Sequence, residues 1–249
     1  VLTSEENRVI IQTLLPEALF SSYYEDDIDD SCRDKILRDL SWASVVIIGP
    51  GLGKGRVANK LLDIVLSEAK VPVIIDADAV NLLGERLNDL SDKPNDRLEK
   101  LASYLKAGTI ITPHLMELSR LTNISLSDIR DNLIDTAAAC SYNNEIIYVI
   151  KDARTIIAHN GIYYINTSGN NGMATGGSGD VLTGIIGALI AQGMTGYEAS
   201  CLGVYLHGLA GDEAAKEKSS YSMMATDIIE AIGTVINRSL SSENKLKNE

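Results

Sequence analysis

Short apolar runs that do not alternate constrain this chain more than any other feature: "VVIIGP" from Val45, "VPVIID" from Val71, "GTIIT" from Gly108 and "EIIYVIK" from Glu145. A strand with one wet face alternates apolar and polar residues, so continuous runs predict strands covered on both faces, as in a parallel sheet. The segments between them have helical spacing. "RVANKLLDIVLSEA" puts Val57, Leu61 and Val65 on one face, and helices are also predicted around "VNLLGERL", over "HLMELSRLT" and from about Asp128 to Cys140. This alternation predicts an α/β fold with a mostly parallel central sheet between layers of helices.

After Lys151 the pattern changes. "TIIAHN", Gly161 and "IYYINT" predict an antiparallel hairpin at one edge of the sheet. The last third reads as helices over Val181 to Ala191, Tyr197 to Ala215 and Thr226 to Ile236, and the polar tail "SSENKLKNE" is expected to fray. At the other end, Thr3-Ser4-Glu5-Glu6 has the form of a capping box, so a first helix is expected from Thr3 to near Pro16, followed by an acidic loop around "YYEDDIDDS". Cys140, Cys201 and Trp42 are expected in the core. At 249 residues and 45% hydrophobic content, with no repeat or linker, one domain over 1–249 is expected.

Charge and cysteine usage narrow the chemistry. The 22 Lys and Arg against 34 Asp and Glu give a net charge of −12, which disfavours nonspecific binding to nucleic acid or anionic membranes. The three cysteines lack metal-ligand spacing, and nothing has the apolar length of a membrane span or the form of a signal peptide, so a reduced, cytoplasmic protein is expected. An anionic ligand would then need a local site of backbone N–H groups and a helix N-terminus.

"GNNGMATGGSGDVLTGIIGALIAQG", from Gly169, has that form. Gly176, Gly177 and Gly179 allow close backbone approach, and the apolar helix that follows offers its unpaired first-turn N–H groups to phosphate. Asp180 sits at the mouth of that helix, where it would repel the charge the turn attracts. It either acts as a base toward a hydroxyl attacking phosphorus or caps the helix. In open α/β sheets ligands lie beyond the carboxyl ends of the strands, which adds other candidates. "GPGLGKG" fits neither a Walker A motif nor a strict GxGxxG motif, and Lys54 and Arg56 near it are either anion contacts or solvated charges. Asp76 and Asp78 at a strand end would hold magnesium or cap the next helix. Lys151 would reach a phosphate or snorkel, and His114, behind Thr112-Pro113, would contact a ligand. His159, near a hairpin turn, and His207, within a helix, read as structural.

Together, "GPGLG", "PVIIDADAVNLL", "TIITPHLMELSRL", "KDART" and "GNNGMATGGSGDVLTG", in this order and spacing, resemble the nucleotide-dependent NAD(P)H-hydrate dehydratases of the ribokinase-like superfamily. The resemblance runs from about Val45 to the helix containing His207. It implies a ribokinase-like three-layer fold and dehydration of hydrated NADH or NADPH, driven by a nucleotide. ADP, as in bacterial members, is expected to become AMP and phosphate, with ATP as the alternative nucleotide and magnesium as its companion. On this chain it implies that Gly53, His114 and Asp180 contact the hydrated dinucleotide, with Asp180 catalytic. Lys151, Asp152, Ala153, Arg154 and Thr155 would line the nucleotide. Its phosphates would lie on the loop of Asn170, Asn171, Gly172, Met173, Ala174 and Thr175 that continues through Gly176, Gly177, Ser178 and Gly179.

Asp152 stands where the family commonly has glycine. The family also has a strand and helix ahead of the segment where this chain begins, so the domain is expected to lack them, and an epimerase domain precedes it in some members. A homo-oligomer, a tetramer by the resemblance, is expected. A ribokinase-like small-molecule kinase and a silent nucleotide-binding subunit are the alternatives, since both would share the glycine loop.

Overall fold

The computed structural model describes residues 1–24, 27–142 and 144–246. The chain opens with β1 (Leu2–Ser4), a 3-10 turn, α1 (Arg8–Leu14) and β2 (Ser21–Tyr23), and β1 pairs with β2 in parallel as a small separate sheet. Then α2 (Asp30–Trp42) leads into the main body: β3 (Val46–Ile48), α3 (Arg56–Glu68), β4 (Val73–Ile75), α4 (Ala77–Asn88), α5 (Pro94–Tyr104) and β5 (Ile110–Ile111). The helices α6 (Leu115–Thr122), α7 (Leu126–Asp131) and α8 (Leu133–Ser141) precede β6 (Ile147–Ile150), β7 (Ile156–His159) and β8 (Ile162–Ile165). The chain closes with α9 (Ser178–Ala191), α10 (Gly196–Lys218) and α11 (Ala225–Leu246).

The six strands β3 to β8 form one sheet in chain order, parallel from β3 to β6 and antiparallel from β6 to β8. The two-residue period of each strand sorts its side chains between two helix layers. Ile48, Ile75, Ile111, Tyr148 and Ile150 join the core shared with α3, α4, α6 and α8. Their neighbours Ile74, Ile110, Ile147 and Val149 join the core under α9 and α10. Ile74, Ile75, Ile110 and Ile111 are fully buried, and each such side chain contributes about 1.5–3 kcal/mol of burial free energy. Burial on both sides is why these runs do not alternate. The expected three-layer α/β arrangement with an antiparallel edge is what the chain adopts. Among the described residues no helix is long and apolar enough to cross a membrane.

Several local expectations need correction. Thr3 lies in β1 and no cap is made by the Ser4 side chain, which is buried; pairing of Leu2, Thr3 and Ser4 with Ser21, Ser22 and Tyr23 overrides the capping-box signature, and α1 starts only at Arg8. The acidic loop gives way to α2, whose Asp29 N-cap accepts a bond from the Cys32 N–H at 2.7 Å; Glu25 and Asp26 of that loop lie outside the described residues. Trp42 is 78% exposed at the end of α2 rather than in the core. The helix expected over Asp128 to Cys140 is two, α7 and α8, meeting at Asn132. The backbone of α11 continues to Leu246, so of the tail expected to fray only residues 247–249 lie outside the described residues.

Candidate active site

The hydrogen-bond ladder continues past the strands and aligns their carboxyl ends. Asp76 N–H donates to Ile48 C=O (3.0 Å), Thr112 N–H to Ile75 C=O (3.0 Å) and Lys151 N–H to Pro113 C=O (2.8 Å). The residues just beyond β3, β4, β5 and β6 are therefore brought to one edge, and the first turn of α9 descends onto it. Lys151 Nζ binds Asp76 Oδ1 at 2.6 Å, and Thr183 Oγ1 of α9 donates to Asp76 Oδ2 at 2.8 Å. Asp76 is N-cap of α4 by position, but its side chain caps no helix N–H, so the capping reading fails for it. Asp78 instead accepts from the Gly53 N–H at 2.9 Å, which fastens the "GLGKG" turn to α4.

At the entrance to α9, the N-cap is Gly177, whose φ of +85° suits glycine, and Asp180 is the third helical residue. Asp180 is therefore not the cap. The first bond from inside the helix back to the cap runs from Val181 N–H to Gly177 C=O (3.1 Å), so the N–H groups before it are those a helix start offers to an anion. A Cβ on Gly179 would lie 3.3 Å from Lys151 Nζ, so the lysine ammonium rests against this turn. The Asp180 residue is exposed, yet its carboxyl is set among protein atoms. That desolvation, with the negative charge of Asp76, raises its pKa above the usual Asp value, while Lys151 acts the other way.

The glycine loop is moored from behind. Asp212 of α10 accepts from the Gly169 N–H (2.9 Å) and from Asn170 Nδ2 (3.0 Å), and Asn170 Oδ1 in turn accepts from the Gly172 N–H (2.9 Å). Asn171 to Met173 form a 3-10 turn, with Met173 packed on the α10–α11 core, and Ala174 leads out of it to Thr175, whose carbonyl accepts from Ser178 N–H. Ser178 Oγ lies 3.3 Å from His207 Nε2 of α10. Burial pushes that imidazole down to about 4, with the charge of Lys151 adding to the effect, so His207 is a neutral ring supporting the turn.

His114 performs a task that its sequence did not disclose. It is the N-cap of α6: Nδ1 accepts from the Met116 N–H (3.1 Å) and the Glu117 N–H (3.2 Å), while Glu117 Oε2 accepts from the His114 N–H (2.8 Å). In the neutral ring the proton then belongs on Nε2, and the ring is half exposed at the site's edge, next to Lys151 through a parallel bridge. Glu117 is buried, and that burial raises its pKa against the lowering effects of the His114 N–H and Lys151. In "KDART", Thr155 C=O accepts from Asn166 N–H (2.9 Å) and Arg154 Nη1 donates to Thr167 C=O (3.1 Å), with Asp152 and Ala153 exposed between Lys151 and Arg154. The structure thus joins Lys151, Gly179, Asp180 and Asp76, expected at one edge of the sheet, and adds Glu117 and Thr183, which the sequence reading did not connect to them. The signal for Asp76 and Lys151 was that both directly follow apolar strands. Among the described residues, no group of three or more His, Cys, Asp or Glu side chains gathers as a metal cage.

Known proteins resemble this chain in sequence and in fold. The sequence model described as NAD(P)H-hydrate dehydratase matches residues 1–234. An ADP-dependent (S)-NAD(P)H-hydrate dehydratase from Neisseria meningitidis is 35% identical over 235 residues, which cover 91% of this chain and 73% of that protein. A bifunctional NAD(P)H-hydrate repair enzyme from Moorella thermoacetica is 36% identical over 235 residues, covering 94% of this chain; the chain spans only 41% of that enzyme's length. A solved ribokinase-like superfamily protein from Enterococcus faecalis superimposes with a TM-score of 0.79 at 30% identity, covering 96% of this chain and 76% of that one. A family match over residues 1–234, with 35% identity to a relative of which the chain covers 73%, shows that the chain belongs to the NAD(P)H-hydrate dehydratase family.

Proposed function

We propose that this protein dehydrates hydrated NADH or NADPH at the expense of a nucleotide, converting ADP to AMP and phosphate. The observation that carries this reading is the placing of Asp180, its pKa raised, beside Lys151 at the opening of a glycine turn. The hydrate carries its hydroxyl on the reduced ring, and hydroxide is a poor leaving group. Asp180 takes the hydroxyl proton as the oxygen attacks the terminal phosphorus of ADP, and AMP departs. The N–H groups of Gly176, Gly177 and Gly179, with the Lys151 ammonium, balance the charge that spreads over the transferring phosphoryl. The ring nitrogen then expels phosphate, and loss of a proton from the neighbouring carbon restores the double bond. In this reading Gly53 and the half-exposed ring of His114 contact the hydrated dinucleotide, and Lys151 to Thr155 line the nucleotide.

Magnesium would accompany the nucleotide on its phosphates; among the described residues no three or more His, Cys, Asp or Glu side chains gather to hold an ion. One domain, a homo-tetrameric assembly, residence in the cytoplasm and no dealings with nucleic acid complete the proposal. The last is supported by the net charge of −12, and light scattering tests the assembly. The deciding experiment incubates the protein with hydrated NADH, magnesium and either ADP or ATP, following NADH absorbance and released phosphate. NADH and phosphate formed together, faster with ADP, is the expected result. A stable phosphorylated product without NADH would make the protein a kinase and overturn the reading.

A further inference from the structure

Asp76 is a buried carboxylate, 1% exposed, that the reaction above leaves without work. The backbone around it is unusual. Ala77, the next residue, has a φ of +47°, which is left-handed and rare outside glycine. Gly49, beyond the neighbouring β3, has a φ of +127°, and a side chain there would collide with the Asp76 carbonyl oxygen. Helix capping does not account for the carboxyl, since it reaches no N–H of α4. Its oxygens go instead to Lys151 and Thr183, 75 and 107 residues further along the chain.

Burial of a carboxylate is unfavourable unless its partners are fixed in place, and both partners here touch Gly179 of the anion turn. Lys151 presses its ammonium against Gly179, and the Thr183 hydroxyl lies within bonding distance of the Gly179 carbonyl as well as of Asp76 (2.9 Å). One carboxyl group therefore ties the end of β6 to the N-terminal half of α9, near enough to the proposed base for its charge to act on it. The other titratable groups gathered here are Glu117 and His114 at the start of α6 and His207 of α10.

We propose that Asp76 is a positioning residue: by holding Lys151 and Thr183 it keeps the lysine ammonium against Gly179, facing the space of the transferring phosphoryl, and keeps it from closing onto Asp180. The inference rests on Asp180 being the base of the proposed reaction. A lysine free to pair with Asp180 would weaken that base and withdraw positive charge from the phosphoryl. Held by Asp76, it does neither.

Asp76→Asn keeps the shape and can still accept from Thr183 but removes the charge. Two measurements follow. In ligand-free protein carrying 13C-labelled aspartate, the Asp180 carboxyl is titrated by NMR, its signal identified by its loss in Asp180→Asn. In the enzyme, kcat is followed against pH. The expected result is kcat reduced roughly tenfold or more, with little further loss when Asp76→Asn is added to Lys151→Met, and a fall in the Asp180 pKa and acid limb that exceeds the fall the same substitution gives in the Lys151→Met background, where only the direct loss of the Asp76 charge acts. An unchanged Asp180 titration and kcat in folded Asp76→Asn, or losses that add fully to those of Lys151→Met, would overturn the proposal. Should Asp76→Asn fail to fold, Thr183→Val removes the second anchor while leaving every charge, and should lower the Asp180 pKa and kcat by a smaller factor; no change would again overturn it. If the Asp180 titration moves as expected but the wild type converts no hydrated cofactor, the proposed reaction fails and the positioning role stands.

Discussion

Asp180→Asn separates chemistry from structure at the mouth of the glycine turn. Asparagine keeps nearly the same volume, and since Gly177, not Asp180, is the cap of α9, no capping bond depends on the acid. What the fold loses is the favourable placement of a negative charge in the first turn of a helix, about 0.3–1 kcal/mol. It gains relief from the repulsion of Asp76, which helps to raise the Asp180 pKa. The signs are opposite, so the net change in stability should stay within about 1 kcal/mol, or a shift of roughly 2–4 °C in Tm for a domain of this size. The catalytic loss has nothing to offset it. Losing a general base costs about 10²–10⁴-fold, equivalent to roughly 2.7–5.4 kcal/mol of barrier.

The assay is steady-state formation of NADH from its hydrate with ADP, beside calorimetric titration with ADP and a thermal melt. Turnover should fall at least 100-fold, roughly the lower end of that range, while ADP binds as well as before or better, because a negative charge near the phosphates has gone. In the wild type, kcat should decline as pH falls through a value above the ordinary 3.8 of aspartate, since the base must be ionised to act. A folded Asp180→Asn protein with near wild-type turnover, or a wild-type acid limb at or below 3.8, would refute the reasoning.

Gly49→Ala should destabilise the protein by about 4 kcal/mol, seen as a lower denaturant midpoint, because the new Cβ meets the Asp76 carbonyl oxygen at a φ of +127°; a wild-type midpoint would contradict the close approach. Gly176→Val should leave Tm nearly unchanged, as a Cβ there meets no protein atom within 4 Å, yet weaken ADP in calorimetry by intruding on the phosphate space; undiminished ADP binding would remove the loop from the nucleotide site. For His207, the folded pKa of about 4 lies below the ordinary 6.5, so the unfolded chain takes the proton first, and stability held above pH 6.5 is lost as pH falls toward 4. His207→Gln should flatten the upper part of that decline in denaturant melts taken at successive pH values, and an unaltered slope would mean the imidazole is not held neutral.

The sheet was legible because β4, β5 and β6 are buried on both faces, which writes the tertiary environment directly into an unbroken apolar run. The helix α9 was legible for the same reason. By contrast, α2 and α5 carry "DSCRDKILRDLSW" and "PNDRLEKLASY", and expose most of their surface. So few positions report on the core that no helix is predicted at either. The N-terminal misreading has a different cause: a local capping signature lost to strand pairing between residues about twenty apart. In the site, the glycine turn was visible as composition. The Asp76–Lys151 bond was not, because it reaches past β5 from the end of β4 to the end of β6, and that spacing depends on a strand order which sequence alone does not specify. Arg97, 1% exposed and donating to the carbonyls of Gly84, Arg120 and Leu121, was equally hidden, since a buried arginine and a solvated one are spelled alike.

Because β3 to β8 lie side by side in the order in which they occur along the chain, each strand can dock on the one made just before it. Neighbour-to-neighbour pairing shortens the loops that must close, which favours rapid and progressive assembly. During synthesis the sheet can therefore grow from one edge to the other while the remaining third of the chain is still unmade. Until α9 and α10 arrive, however, the face carrying Ile74, Ile110, Ile147, Val149 and Ile157 has nothing to cover it. The same late segment brings the glycine turn, Asp180 and Thr183. A nascent chain thus reaches catalytic competence only in the step that also hides its most aggregation-prone surface, so no long-lived species should be both sticky and active.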